Sequence, residues 1–329
     1  MQNTTTKVER TLGDITVSGI GLGCWAIGGP FGDGERPWGW GEVDDAESIR
    51  AIRRGLELGV TLFDTADVYG TGHSETVLGT ALGADRERVA IATKFGFTFE
   101  EGTGRTVGND VSPTYVRRAC EASLRRLGTD WIDLYQLHVG DLPVDAAAEV
   151  ADTLEQLRSE GLIRAYGWST DDVDRALGWA RREHCVAIQH TVNVFDDAPE
   201  LLELCERHDL ASVNRGPLAM GFLSGKFDST SRLPGDDVRG SNAEWLTYFE
   251  DGRPNQELLD KLAAIREILT SGERTPAQGA LAWLWARSPQ TIPIPGFRTV
   301  RQVEENARAL ELGPLTADQM AEIETLLGR

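Results

Sequence analysis

The sequence predicts an α/β fold, a (β/α)8 barrel, on three observations. Short β-branched or apolar runs alternate eight times with longer amphipathic stretches, as when each strand is followed by a helix leading to a parallel neighbour. Stop and start signals fall between them. Gly59 and Gly83 stand where a helix C-terminus takes a left-handed residue, and Ser112-Pro113 and Thr275-Pro276 read as N-cap followed by N1 proline. Finally, 329 residues hold eight such units comfortably. An open doubly wound sheet is the competing architecture; the unit count favours the barrel.

Lys7 to Ser18 reads as a hairpin turning at Gly13-Asp14, a plug across the barrel's N-terminal end. The expected strands are Ile20–Trp25, Thr61–Thr65, Val89–Phe95, Ile132–Val139, Ala165–Ser169, Ala187–Asn193, Ala211–Arg215 and Ile292–Gly296. The expected helices are Asp45–Leu58, Ser74–Leu82, Pro113–Leu127, Ala146–Ser159, Val173–Arg182, Pro199–Arg207, Pro276–Ala286 and Val300–Leu310, with a last helix at Thr316–Leu327. Two connections are unusually long: Gly28–Asp44 after the first strand and Phe227–Asn255 after the seventh. Both follow a strand's C-terminal end, where barrels carry their sites, so both are read as active-site loops. With no linker or low-complexity tract, residues 1–329 are read as one domain.

The 52 acidic and 33 basic residues give a formal charge of −19. That excess argues against a nucleic-acid partner, which needs clustered Lys and Arg. Met1 to Arg10 carries no apolar run of the kind a secretory signal requires, and no stretch is long enough to span a bilayer. Cys24, Cys120, Cys185 and Cys205 are scattered and form no CxxC pair. The expectation is a reduced, cytoplasmic protein. Five histidines without ligand spacing predict no metal site.

The opening Gly19-Ile20-Gly21-Leu22-Gly23-Cys24 lacks the third glycine of a Rossmann fingerprint, and no P-loop is present. The chemistry sits at strand ends instead. Asp64 and Tyr69 close the second strand, Lys94 the third and His138 the fourth. A barrel would aim all four at one pocket. A Lys94 ammonium would draw the Tyr69 pKa down from about 10 toward working pH, Asp64 would hold the lysine, and His138 would orient a carbonyl that Tyr69 protonates. The missing hydride source implies a nicotinamide cofactor.

The segments FDTADVYGTGHSE, ATKFGF, DLYQLHVGD, GPLAMGFLSGK and IPGFRTVRQVEEN, in this order, resemble the aldo-keto reductase superfamily from about Gly19 to Leu310. The opening GLGCWAIGG is similar to the bacterial branch that includes the general-stress and inositol-operon enzymes. The resemblance implies a barrel that binds NADP(H) extended across its top, with NAD(H) as the other possibility, and a catalytic tetrad at Asp64, Tyr69, Lys94 and His138.

It also implies a cofactor site residue by residue. Ser169, Thr170 (Asn in the family) and Gln189 take the nicotinamide carboxamide positions. Arg215-Gly216-Pro217-Leu218 stands where the family commonly has Tyr-Ser-Pro-Leu, so Arg215 is expected to stack on the nicotinamide or reach a phosphate. Ala219, Gly221, Leu223, Gly225 and Lys226 match the pyrophosphate loop. Gly296, Phe297, Arg298 and Thr299 precede a helix bearing Gln302, Glu305 and Asn306. Arg298 is expected at the 2′-phosphate, and Glu305 and Asn306 at the adenine.

Trp25, Trp40 and Trp245 are the expected substrate contacts, Trp25 being expected at the cofactor as well, with Trp38 and Tyr248 nearby; Trp168, Trp179, Trp283 and Trp285 read as packing. The implied activity is hydride transfer between NADP(H) and the carbonyl of an aldehyde, ketone or sugar, in either direction. The alternative is a non-catalytic NADP(H) sensor or auxiliary subunit on the same barrel. A flavin-binding barrel has no motif to support it.

Overall fold

Every second side chain of the central strands turns inward, and that alternation builds both the core and the site. The strands are β1 (Gly21–Gly23), β2 (Leu62–Asp64), β3 (Ala90–Phe95), β4 (Ile132–Leu137), β5 (Ile163–Ser169), β6 (Cys185–Thr191), β7 (Ala211–Arg215) and β8 (Thr291–Pro293). The computed structural model describes residues 8–329. It pairs these strands in order, each parallel to the next. Gly23 bridges to Gly296, and its N–H donates to the Pro295 carbonyl at 3.1 Å, joining the first strand to the last. The chain is a (β/α)8 barrel, as the alternation predicts.

The inward rows are layered. Near the N-terminal end, Leu62, Ala90, Ala92, Leu134, Ala187, Ala211 and Ile292 form one buried cluster. Leu12 and Val17 of the hairpin Glu9–Leu12 and Ile15–Ser18 join it, so the hairpin plugs the barrel as expected. Lys7 and the rest of the polar opening before Val8 lie outside the described residues. One pleat higher the same rows turn polar: Asp64, Lys94, Gln136 and Gln189 are all buried. The outward rows, with Phe63, Ile91, Phe95, Tyr135, Leu137 and Ile188, pack into the helix layer.

The helices between successive strands are α1 (Asp45–Glu57), α2 (His73–Leu82), α3 (Pro113–Leu127), α4 (Val144–Ser159), α5 (Val173–Ala180) and α6 (Pro199–His208). Two helices, α7 (Gln256–Leu269) and α8 (Pro276–Arg287), separate β7 from β8, and α9 (Val300–Leu312) and α10 (Ala317–Leu327) follow. Asp44, Ser112 and Asp172 cap their helices, and Thr275 forms a capping box with Gln278. Helix α7 was not among the expected elements. Asn255 caps it by accepting from Glu257 and Leu258 N–H. The hairpin Phe97–Glu100 with Arg105–Asn109 after β3 was also unassigned. The four packing tryptophans are buried as read.

The two long loops meet over the barrel's C-terminal end. Val238 N–H donates to the Gly39 carbonyl at 2.8 Å, and Trp40 pairs with Asp237. The first loop is also stitched to the extra hairpin: Thr106 N–H donates to the Gly32 carbonyl at 2.8 Å and Gly32 N–H to that of Gly104 at 2.9 Å. Among the described residues no helix is long and apolar enough to cross a membrane. Nor do three or more His, Cys, Asp or Glu side chains gather there to hold a metal ion.

Candidate active site

Strand register brings distant residues together. Asp64 lies beside Ala92 and Lys94 beside Gln136, so the side chains of β2, β3 and β4 meet in the barrel's polar layer. Lys94 is fully buried. Its ammonium donates to Asp64 Oδ1 at 2.6 Å, to the Thr65 carbonyl at 2.8 Å and to the Tyr69 hydroxyl at 3.4 Å. All three of its N–H bonds are thereby used, which a buried ammonium requires. Asp64 Oδ2 accepts from Gln189 Nε2 at 2.7 Å and from Gln136 Nε2 at 3.3 Å.

Tyr69 is presented by a tight turn after β2. Ser74 N–H donates to the Tyr69 carbonyl, and the Ser74 hydroxyl donates to that of Cys24. Gly70 has φ +62°, and a Cβ there would fall 1.8 Å from the Gly28 carbonyl oxygen. Only glycine lets the first loop approach the tyrosine turn this closely. His138, just past β4, is held by its N–H to the Phe95 carbonyl at 2.8 Å. Its ring stands edge-on to Tyr69, centroids 5.8 Å apart.

Electrostatics sets the protonation states. Burial would push the Lys94 ammonium down, but Asp64 and Tyr69 outweigh it and the pKa is raised, so the lysine stays charged. Burial, with Lys94 and Arg215 nearby, holds His138 well below its usual range, so the imidazole is neutral. One sequence expectation is corrected here. Burial of Tyr69 outweighs the Lys94 charge, and its pKa is raised rather than drawn down. Tyr69 is a phenol that keeps its proton.

Asp64, Tyr69 and His138 line a cavity of about 1750 Å³ that runs beneath the joined loops, and Lys94 is buried below its surface. Drug-sized sites are typically about 300–1,000 Å³, so this one has room for a larger ligand. At one end it is lined by Trp25, Tyr69, His138 and Trp245, and Trp40 borders it under the joined loops. Ser169, Thr170, Gln189, Arg215, Gly216, Pro217 and Leu218 line the middle; Gly221, Lys226, Gly296, Phe297, Arg298, Gln302, Glu305 and Asn306 line the rest.

The second half of the cavity is cationic. Lys226 has no carboxylate within ion-pair distance among the described residues, and burial followed by the Arg239 charge pushes its pKa down. Gly221, at φ +86°, lets the backbone pass close to the Lys226 amine. An unpaired, partly buried ammonium beside two guanidiniums fits a polyanion such as a pyrophosphate.

Several expected positions differ. Ala219 and Leu223 turn into the core instead of the cavity, because the short 3-10 turn over Ala219–Ser224 packs its apolar side, Phe222 included, against α8. Gly225 is likewise off the wall, and Thr299 caps α9 by accepting from Gln302 N–H, facing a smaller neighbouring cavity. Thr170 spends its hydroxyl on the Gly140 carbonyl at 2.7 Å. Arg215 is paired with Asp171, which also accepts from Thr191 N–H. Arg298 donates to the carbonyls of Trp40 (2.9 Å) and Glu42 and so holds the first loop down. Tyr248 is buried against Asn193 and Asp196 instead of facing the chamber broadly.

Sequence reasoning missed other residues. Gln136, two positions before His138 on an alternating strand, was available from the period-2 pattern. The buried Asp237–Arg239 pair, whose guanidinium lies 4.6 Å over the Trp40 ring, had no local signal in a loop. Phe31 and Phe97, which flank Tyr69 and His138, also went unassigned.

Comparison with known proteins agrees with this fold. The profile of the Aldo/keto reductase family matches residues 19–327. An uncharacterized oxidoreductase of Bacillus subtilis is 30% identical, with 96% of this chain and 95% of that one covered. An NADP(+) aldo-keto reductase of Schizosaccharomyces pombe is 31% identical, covering 92% and 86%. Among solved structures, the holo form of an aldo-keto reductase from Bacillus halodurans superposes with TM-score 0.76 at 32% identity, covering 97% and 96%. A glycerol dehydrogenase from Gluconobacter oxydans gives 0.80 at 30%, covering 99% and 96%. An aldo/keto reductase from Klebsiella pneumoniae, solved with NADP and acetate, gives 0.69 at 28%, covering 98% and 96%.

Proposed function

Because this chain belongs to the Aldo/keto reductase family, an oxidoreductase family, we propose that it is an NADP(H)-dependent reductase of aldehyde, ketone or sugar carbonyls, with Tyr69 as general acid. The observation that carries the reading is that Tyr69, which lines the large cavity, has its hydroxyl 3.4 Å from a buried, charged Lys94. Bound NADPH would supply the hydride. The chain's own residues do the rest. Neutral His138 donates a hydrogen bond to the substrate oxygen and fixes its direction. Tyr69 gives its proton to that oxygen as negative charge develops. Lys94 then stabilises the phenolate left behind, and Asp64 keeps Lys94 in place.

The cofactor reading draws on the cationic half of the cavity. Lys226 and Arg239 would hold the pyrophosphate, Arg298 a 2′-phosphate, and Ser169 and Gln189 the carboxamide. Arg215 and the first turns of α9 would complete the groove. The family match over nearly the whole chain supports one domain. Four free cysteines, all buried, support a reducing, cytoplasmic setting.

The test is consumption of NADPH absorbance over a panel of aldehydes, ketones and sugars. Turnover with at least one carbonyl is expected. A sensor that only holds the dinucleotide would bind it and consume none.

A further inference from the structure

We infer that Thr71 is a positioning residue for Tyr69 and His138, tying the Phe97–Asn109 hairpin to the turn that presents the phenol; this rests on the carbonyl reduction proposed above. Three consecutive residues after Tyr69 hold left-handed backbone: Gly70 at φ +62°, Thr71 at +53° and Gly72 at +100°. Glycine takes such angles freely, and a β-branched residue rarely does. A third glycine would fit the turn with less strain. What it would lack is the threonine hydroxyl, and that hydroxyl is used. It accepts from Gly104 N–H at 3.1 Å, while the Thr71 carbonyl accepts from Gly102 N–H at 3.2 Å. The Thr71 N–H closes the turn on the Val68 carbonyl at 2.9 Å. Thr71 is buried, and both of its donors lie between the two strands of the hairpin.

The hairpin carries this tie to both reacting groups. The Gly104 carbonyl accepts from Gly32 N–H at 2.9 Å, so one residue joins the tyrosine turn to the first loop, where Phe31 lies 6.4 Å from Tyr69. At the hairpin's base Phe97 meets the His138 ring edge-on at 5.1 Å, and its carbonyl accepts the Tyr115 hydroxyl at 2.7 Å. Tyr69 and His138 come from the ends of different strands, and one substrate oxygen has to reach both. The hairpin between them fixes that alignment, and Thr71 fixes the hairpin. Arg126 holds the same hairpin turn from outside, donating to Glu101 at 3.1 Å and to Glu75 at 2.7 Å. Loss of the Thr71 hydroxyl therefore loosens the hairpin without releasing it.

The test compares Thr71→Gly and Thr71→Ser with the wild type, each as the folded full chain, on NADPH and a carbonyl that the wild type reduces. A second arm reads hydrogen exchange at the Gly102 and Gly104 amides and needs no turnover. Thr71→Gly is expected to lower kcat about 10–100-fold, the effect of a small misplacement of the reacting groups. It leaves NADPH affinity unchanged, because Lys226 and Arg298 line the other part of the cavity, and it speeds exchange at Gly104 about tenfold. Thr71→Ser, which keeps the accepting hydroxyl, restores both kcat and protection. Wild-type kcat in Thr71→Gly, or a loss that Thr71→Ser does not restore, overturns the inference. If the wild type reduces no carbonyl, the reduction itself falls and the exchange arm decides: faster Gly104 exchange in Thr71→Gly, restored by Thr71→Ser, upholds the tie, and unchanged exchange overturns it.

Discussion

Lys94 sits closer to Asp64 than to Tyr69: its ammonium is 2.6 Å from the carboxylate and 3.4 Å from the phenol. The tight contact anchors the charge, and the looser one leaves the tyrosine free to change its protonation. Removing the anchor strands a buried cation. Asp64→Ala is therefore expected to destabilise the fold by about 3–5 kcal/mol, read by urea denaturation, and to abolish turnover. A loss under about 1 kcal/mol would mean that the pair is not the buried contact described.

Rate and pH should follow Tyr69 and not His138. In the proposed mechanism reduction needs the protonated phenol, and burial raises the Tyr69 pKa, so kcat is expected to stay flat through neutral pH and to fall only above about pH 10. His138 is held neutral, so it adds no inflection near its ordinary value of about 6.5. A kcat profile for carbonyl reduction checks both limbs.

Stability should fall in acid through a second buried histidine. Burial lowers His190 to about 4, and its Nε2 is 2.8 Å from the Ser212 hydroxyl. The folded pKa lies below the unfolded one, so the unfolded chain binds the extra proton first. The stabilising effect is complete above about pH 6.5 and is lost as pH falls toward 4. The stability difference between wild type and His190→Asn should shrink by about 3 kcal/mol across that window. A pH-independent difference would contradict the burial.

The two ends of the cationic groove should separate by cofactor. Arg298→Ala is expected to weaken NADPH about 10–100-fold and NADH little, the effect of one charge-assisted phosphate contact. Lys226→Ala is expected to weaken both about equally. Dinucleotide titration by fluorescence reads the two directly. Equal loss of NADH and NADPH with Arg298→Ala would take the 2′-phosphate away from that residue.

Much of this was legible because periodicity and punctuation are local. The eight strands followed from alternation, and Ser112-Pro113 and Thr275-Pro276 marked the starts of α3 and α8. Asp64, Tyr69, Lys94 and His138 were visible as polar residues ending apolar strands. Helix α7 was missed although Leu258, Leu262, Ile265 and Leu269 repeat at helical spacing after Asn255; the polar loop before it masked the start. The Phe97–Asn109 hairpin was equally readable from its Glu101–Gly104 turn. What no local pattern could supply was partnership across the fold. Arg215 found Asp171, Arg298 found the carbonyls of Trp40 and Glu42, and Arg239 found Trp40. The Tyr69 pKa was misjudged for a related reason: residue identity reveals a neighbouring charge, but the depth of burial that outweighs it is a property of the packed barrel.

The most direct measurement is turnover and dinucleotide binding by Tyr69→Phe. That substitution removes one hydroxyl and leaves the ring that packs against Trp25. The account predicts NADPH affinity within about twofold of wild type and kcat for carbonyl reduction lower by about 10²–10⁴-fold. Unchanged kcat on a substrate that wild type reduces would contradict it.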